Sequence, residues 1–574
     1  MNQTFRQNGT SDRPWTAHWP PGMPSSLPPP NQTIPDNLFK SAEAYPDKPA
    51  IIFYDFEISY AELKSACERL SSYLRQTCKI EKGDRVGLLG QNSPQFIMAY
   101  YAILHAGGVV VPINPMNTTS EVEHLITDSG LRTLFCASDI WPTIEPLAKK
   151  QLIRRTILFR YADYLPSETD LPVPQSLISP EVRTGVATIW QDALSTERES
   201  TSCRISPSDM AVFPYTSGST GHPKACVHTH ATTLHAVNCC HAWFDIRTDD
   251  KVLAVAPFFH VTGMQLGMNA PIAKGATIVI LPRWDAHTAA VLINRYQISF
   301  WPCVPTMVID LLSMHNFQPG TVSSLRVLMG GGQTLPEAVA LKLKALCGLD
   351  FIEGYGLSET MAPATANPSH APKPQCAGIP VFNTDILIVT PDTLRPVNQG
   401  ETGEILVSGP QVMNGYWNRD SESESALIKI SERTYLRTGD IGRLDPEGYL
   451  YIVDRLKRMI NAAGFKVWPN EVEAALYAHP AVLEACVISS PDSKRGETVK
   501  ALIVLRPEYR TRVCERDISQ WSRQVMSAYK APKIIEFVDD LPKAGSGKVL
   551  WRVLQERELN VAKQHKEQDC DKRE

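Results

Sequence analysis

The feature that most constrains this chain is an alternation, running from Arg85 to Met329 with one break, of short apolar runs with stretches whose apolar residues recur at helical spacing. The runs are Arg85-Val-Gly-Leu-Leu, Val109-Val-Val, Thr133-Leu-Phe, Met210 to Phe213, Val252 to Ala256, Ala276 to Leu281, Phe300-Trp301 and Leu325 to Met329. Helices are predicted between them, among others at Phe96 to Ala106, entered through Gln91-Asn92-Ser93, and at Glu121 to Ser129. Such a pattern builds a parallel sheet covered on both faces, the α/β doubly wound class.

Upstream, Leu38 to Ala44 and Ala61 to Gln76 read as helices, and Ala50 to Phe53 with Ile58-Ser59-Tyr60 as a hairpin. Residues 1 to 32, with Pro20-Pro21 and Pro28-Pro29-Pro30, are predicted to be an extended, poorly packed arm. Residues 160 to 205 lose the alternation and read as a long connection. From Ala377 onward the strands shorten and turn signals multiply, which predicts an antiparallel, barrel-like subdomain. A small α+β unit follows, with helices at Glu471 to Tyr477 and Asp517 to Ser527, and strands at Val482 to Ile488 and Val499 to Leu505. The boundaries expected are 1–32, 33–454, 455–560 and a charged tail, 561–574, that frays.

At 574 residues the chain exceeds one compact core and must divide into at least two domains. Its 57 basic and 61 acidic residues, net −4, give no basic surplus for nucleic acid. No apolar run reaches membrane-spanning length and Met1 to Trp19 lacks the apolar core of a secretory signal, so a cytoplasmic protein is expected. Thirteen cysteines without paired metal spacing, two of them adjacent as Cys239-Cys240, fit reduced thiols. The Asn-x-Thr triplets at Asn2, Asn8, Asn31 and Asn117 then carry no glycan. The terminal Lys572-Arg573-Glu574 is not a peroxisomal address.

Chemistry concentrates in Tyr215-Thr-Ser-Gly-Ser-Thr-Gly-His-Pro-Lys224, a flexible, donor-rich loop able to wrap a polyphosphate while Lys224 supplies charge. A P-loop of the NTPase kind is excluded on spacing, because Lys224 is followed by Ala225 where Ser or Thr must hold magnesium. Gly330-Gly331-Gly332 closes a strand, either to let a flat ligand approach the backbone or to make a tight turn. Further on stand Glu353-Gly-Tyr-Gly-Leu-Ser-Glu359, Thr438-Gly-Asp440, Asp454-Arg-Leu-Lys457 and Pro542-Lys-Ala-Gly-Ser-Gly-Lys548.

Five of these, Tyr215–Lys224, Gly354–Glu359, Thr438–Asp440, Asp454–Lys457 and Pro542–Lys548, resemble in this order the motifs of the adenylate-forming superfamily of acyl-CoA synthetases, luciferases and peptide-synthetase adenylation domains, across residues 33 to 555. The wording of Glu353 to Glu359 is most similar to fatty acyl-CoA synthetases. The resemblance implies a large domain of two doubly wound sheets plus a barrel-like subdomain, and a mobile small domain. It implies two steps: a carboxylate attacks the α-phosphorus of Mg-ATP to give acyl-AMP and pyrophosphate, then a thiol, CoA, displaces AMP. Phosphoryl chemistry of this kind asks for positioned cations and N–H donors, because the nucleophile is already ionised.

By the same resemblance Thr216, Ser217, Gly218, Ser219, Thr220, Gly221 and Lys224 hold the β- and γ-phosphates. Glu359, with Thr216, binds Mg2+, and Ser358 touches the α-phosphate. Tyr355 stacks on adenine beside Gly330, Gly331 and Gly332, with Glu353, Gly354, Gly356, Leu357 and Ile452 also at the nucleotide. Asp440 accepts both ribose hydroxyls, with Arg455 beside it. Lys548 bridges carboxylate and α-phosphate, and His260 lines and gates the acyl pocket with Phe259, Gly263, Trp301 and Gly332. The small domain turns about Lys457, after which Ala463, Gly464 and Phe465 border the pantetheine tunnel, and Arg283 meets the CoA phosphates. Ser219, Ala225, Gln333, Asn461 and Ala463 depart from common family residues, the last two where many relatives carry lysines that would serve CoA.

Relatives that activate amino acids carry an aspartate near Phe258 to Met264, where this chain has none. The segments Phe259 to Met268, Trp301 to Met307 and Met329 to Gln333 are apolar and aromatic, which favours a fatty or aryl acid. Two other readings stay open, an enzyme loading a carrier-protein phosphopantetheine and a non-catalytic adenylate binder. Intact Lys224, Glu359, Asp440, Arg455 and Lys548 argue against the latter. Peripheral membrane contact and a dimeric state are left open.

Overall fold

The computed structural model describes residues 13–178, 182, 184–198, 203–216, 223–462, 465–492, 496–543 and 549–571. Two compact units emerge, the first comprising Met1–Leu387, Leu406–Arg437 and Asp445–Leu450, the second Ile388–Ile405, Thr438–Leu444 and Tyr451–Glu574.

In the first unit lie two α/β sheets. One has seven strands in the order His228–Thr229, Met210–Val212, Val109–Ile113, Arg85–Leu89, Thr133–Ala137, Arg155–Phe159, Thr188–Ile189, parallel except at the first. The other has nine, in the order Ile379–Pro380, Thr365–Ala366, Phe351–Tyr355, Val327–Gly331, Phe300–Cys303, Lys251–Ala254, Thr277–Ile280, Pro49–Phe53, Phe56–Ser59. Its middle is parallel and its margins antiparallel. Central strands such as Val109–Ile113 are buried throughout, which is why they read as unbroken apolar runs.

Local signals set the helices between them. Tyr60–Gln76 starts in a capping box between Ser59 and Glu62. Pro94–His105 starts at Ser93, whose hydroxyl accepts the Phe96 N–H at 3.2 Å, and is buried from Pro94 to Leu104 because it packs on every side.

Two expectations need correction, and one element appears that the sequence does not announce. Within the proline-rich arm the segment around Trp15 and Trp19 is packed, while residues 21–32 stay largely exposed: Trp15 and Trp19 are only 7% and 9% exposed, Trp19 donates to Pro380 O at 3.2 Å, and its ring meets Trp243 and Phe382 edge-on. Proline at the first helical position starts the short 3-10 helix Pro14–His18, and the two tryptophans supply apolar area enough to dock the segment. The irregular stretch near 160 to 205 contains an edge strand and the short helix Trp190–Leu194, fastened by Trp190 between Phe135 and Phe159. And where Val252 to Ala256 leads past Phe259, a π-helix forms, Gly263–Asn269, every residue of it buried. Asn269 there receives the Tyr101 hydroxyl and donates to Tyr100 and Gln265, a polar set that satisfies a widened turn.

The second unit is built on a sheet ordered Phe465–Val467, Ile460–Ala462, Gly496–Leu505, Val482–Asp492, with Ile534–Phe537 parallel to Gly496–Leu505. Val472, Leu476, Val487, Ile503 and Ile518 centre its core. The helix Trp551–Asp571 continues through the charged stretch expected to fray.

Candidate active site

Ligands of open α/β sheets gather where neighbouring strands send their connections in opposite directions, beyond the strands' carboxyl ends. In the nine-stranded sheet that place follows Lys251–Ala254, flanked by Thr277–Ile280 and Phe300–Cys303, so Pro257 to Gly263 occupies it. In the seven-stranded sheet it follows Arg85–Leu89, which leads to Gln91 and Asn92. Asn92, 1% exposed, joins the two: its amide donates to Ala254 O and Ala256 O at 3.2 and 2.9 Å, and accepts the Phe258 N–H at 2.7 Å. Beside this clamp Phe259 is buried, while His260 is open to solvent and meets the Phe259 ring at 4.8 Å. Protein nonetheless crowds His260 enough that burial lowers its pKa. Trp301 is wholly buried and stacks on Trp284 at 5.6 Å, and Arg283 is exposed near Asp139.

The glycine run divides by cause. A Cβ on Gly330 would stand 2.2 Å from Cys303 O, and one on Gly331 2.4 Å from Gly354 O, so neighbouring strands alone demand those glycines. Gly332 differs: it is exposed, has φ +83°, and nothing lies within 4 Å of its would-be Cβ. Register sets Gly330 beside Glu353 and Gly331 beside Gly354, and Tyr355 ends the second strand 8% exposed. Glu353 turns its carboxylate inward, accepting the Leu335 N–H at 2.9 Å, which ties the loop after the glycines to the strand carrying Tyr355.

Burial pushes the Glu353 carboxyl up to about 7, against an ordinary value of 4.5. Between those values the folded protein keeps a proton that the unfolded chain has released. Stability from this group is therefore full below 4.5 and is lost as pH rises to 7, on the order of 3 kcal/mol in total. Comparing thermal unfolding of the wild type and Glu353→Gln across that window should show the wild type losing ground as pH rises. A constant difference would contradict the burial argument.

Lys224 and Thr216 face each other in a two-stranded ribbon, Tyr215–Thr216 with Lys224–Ala225. Lys224 is 7% exposed, ion-paired with Glu422, and 5.1 Å from the Tyr416 ring centre. The Tyr416 hydroxyl donates to Glu359 Oε1 at 2.9 Å. Arg419 binds Asp128 at 3.0 Å and Glu422 at 3.2 Å, and Asp128 also accepts the Tyr215 hydroxyl at 2.8 Å. Below Glu359, burial lowers His228 to about 4, so its ring is neutral; Nε2 lies 2.8 Å from Ser358 O and donates to it. Just past Glu359 the backbone is strained, with Met361 and Ala362 at φ 52° and 33°.

Asp440 is 3% exposed in the second unit, its Oδ1 2.9 Å from Arg455 Nε. The Thr438 hydroxyl donates to Ile405 O at 2.7 Å and accepts the Asp440 N–H at 3.0 Å, and Gly439 takes φ +68°, so the motif is a turn that carries a buried, Arg455-paired carboxylate. Ile452 and Lys457 are exposed.

Within the first unit, then, Thr216, Lys224, Ser358 and Glu359 come together, and Gly330 to Gly332 adjoin Glu353 to Gly356. Ser217, Gly218, Ser219, Thr220, Gly221, Ala463, Gly464, Lys548 and the Phe465 side chain lie outside the described residues. Sequence reasoning missed Asn92, Asp128, His228, Tyr416, Arg419 and Glu422. His228, four residues past Lys224, was the only one adjacent to a recognised motif; the others act across the fold.

Fold and site define an adenylate-forming enzyme. The model of AMP-binding enzymes matches residues 38–417, and that of the AMP-binding enzyme C-terminal domain residues 471–548. The long-chain-fatty-acid–CoA ligase of Bacillus subtilis (strain 168) is 35% identical over 564 residues, covering 96% of this chain and 98% of its own. Feruloyl-CoA synthase of an Amycolatopsis species is 32% identical over 524 residues, covering 91% and 98%. ATP-bound MatB from Rhodopseudomonas palustris has TM-score 0.82 at 26% identity, over 92% of this chain and 99% of that one. The chain belongs to the AMP-binding enzyme family, as an ATP-dependent acid–CoA ligase that forms AMP. No helix among the described residues is long and apolar enough to cross a membrane.

Proposed function

We propose that this ligase activates a fatty or aryl carboxylate, uncharged beyond its carboxylate, as the acyl-adenylate and passes the acyl group to CoA. The observation that carries the reading is the wall beyond Lys251–Ala254: from Val255 to Met268 it contains no carboxylate, and Phe258, Phe259, Met264 and Met268 are buried in it. An ammonium group entering there would lose its hydration without an ionic partner. Both a long-chain fatty and a feruloyl relative are in keeping with this, since neither acyl group carries a charge beyond its carboxylate.

In this reading Lys224 and the loop before it grip the outer phosphates, and Ser358 and Glu359 stand at the reacting end. Glu359 is the carboxylate that would hold Mg2+ together with phosphate oxygens, and a bound magnesium there neutralises charge on the polyphosphate. The donors fit such a metal, which keeps one or two carboxylates and takes its other ligands from phosphate and water. Among the described residues no cluster of three or more His, Cys, Asp or Glu offers a self-sufficient metal site. Asp440 orients the ribose and Tyr355 the base. Lys548 brings a cation to the carboxylate and α-phosphate, and withdraws for thioester formation.

The test is thioester formation with Mg-ATP and CoA across straight-chain, aryl and amino acids. Turnover restricted to the apolar acids is expected, with fatty and aryl members ranked by kcat/KM. Preference for an amino acid would refute the pocket argument.

A further inference from the structure

Tyr416 stands between the two charged groups of the phosphate end. Its backbone forms an antiparallel bridge with Cys226, Val227 N donates to Gly415 O, and Trp417 N donates to Ala225 O, both at 2.9 Å. The segment Gly415–Trp417 is thereby laced to the ribbon that bears Lys224. On the other side, Met413 N donates to Glu359 O at 2.8 Å. One ring consequently touches both charges: Lys224 Nζ lies within cation–π reach, and the hydroxyl holds one oxygen of Glu359.

We propose that Tyr416 is a positioning residue that couples the phosphate-gripping Lys224 to the metal-holding Glu359. A carboxylate that must meet a small, geometrically strict cation gains from having one oxygen fixed by a hydrogen bond, because the carboxylate plane is then set before the metal arrives. The ring fixes the lysine by stacking, and the shared backbone ladder keeps the two at constant separation. Neither effect needs Tyr416 to touch a substrate.

The proposal rests on assigning Mg2+ to Glu359 in the reading above, and the experiment separates the two. Calorimetric titration of the full-length protein is made with Mg-ATP and, in EDTA, with metal-free ATP, for the wild type, Tyr416→Phe and Glu359→Gln. Phenylalanine keeps the ring under Lys224 and removes only the hydroxyl. Tyr416→Phe is expected to weaken Mg-ATP on the order of tenfold while leaving metal-free ATP unchanged. Equal weakening of both forms, or of neither, while Glu359→Gln abolishes the preference for Mg-ATP, would overturn the role of Tyr416 and leave the metal assignment standing. A preference that survives Glu359→Gln would overturn the assignment itself, and the proposal with it. If Tyr416 served only to pack against Cys226, Met413 and Leu436, its loss would affect both forms of ATP equally, so the two titrations tell a positioning role from a merely structural one.

Discussion

Lys548→Ala should lower acid-dependent pyrophosphate release by about 10² to 10³-fold, the usual cost of removing one preorganised charge or donor at a reacting centre. The effect is confined to the first step. The carboxylate and the α-phosphate repel each other as they approach, and the lysine is the group expected to meet both; thiolysis of a supplied acyl-adenylate forms no such pair. Release of AMP from synthetic acyl-AMP by CoA should therefore proceed in the variant at close to the wild-type rate. Equal loss in both assays would show that one lysine does not serve adenylation alone.

Asp440→Ala should raise the KM for ATP by about 10²-fold or more, because in its proposed role two ribose hydroxyls would each lose a charge-assisted acceptor worth about 1.5–3 kcal/mol. The fold should survive. Arg455 keeps 41% of its side chain exposed, so its charge remains hydrated when its partner is gone, and the Thr438 hydroxyl still closes the turn onto Ile405. Melting temperature and circular dichroism check the fold, and initial rates at saturating acid check KM. An unchanged KM would mean that the carboxylate serves only the turn and its ion pair.

What the sequence disclosed follows from where each feature is encoded. Strands such as Arg85–Leu89 and Val109–Ile113 were readable because burial on both faces writes itself as local apolar runs. Turn motifs at Gly330 to Gly332 and Thr438 to Asp440 were equally visible, though their reasons were not: only the neighbouring strands reveal that Gly330 and Gly331 are dictated by backbone contact while Gly332 faces open space. The π-helix Gly263–Asn269 was hidden, since its extra residue is tolerated by Tyr100 and Tyr101 from a distant helix. Tyr416, Arg419 and Glu422 escaped for the same reason. Their partners Glu359, Asp128 and Lys224 are remote in the chain, and a tyrosine, an arginine and a glutamate in a polar stretch look like any solvated surface. The arm misled because proline content speaks against secondary structure and says nothing against docking, which Trp15 and Trp19 bring about.

The account stands on a free-standing adenylation step, and isotope exchange measures that step directly. With Mg-ATP, labelled pyrophosphate and a fatty or aryl acid that the enzyme converts to its thioester, label should pass into ATP without any CoA present, and should stop when the acid is omitted. If exchange requires CoA, or is absent with an acid that is turned over, the acyl group does not reach the thiol through an adenylate formed beforehand, and the roles given to Lys224, Glu359 and Lys548 fall together.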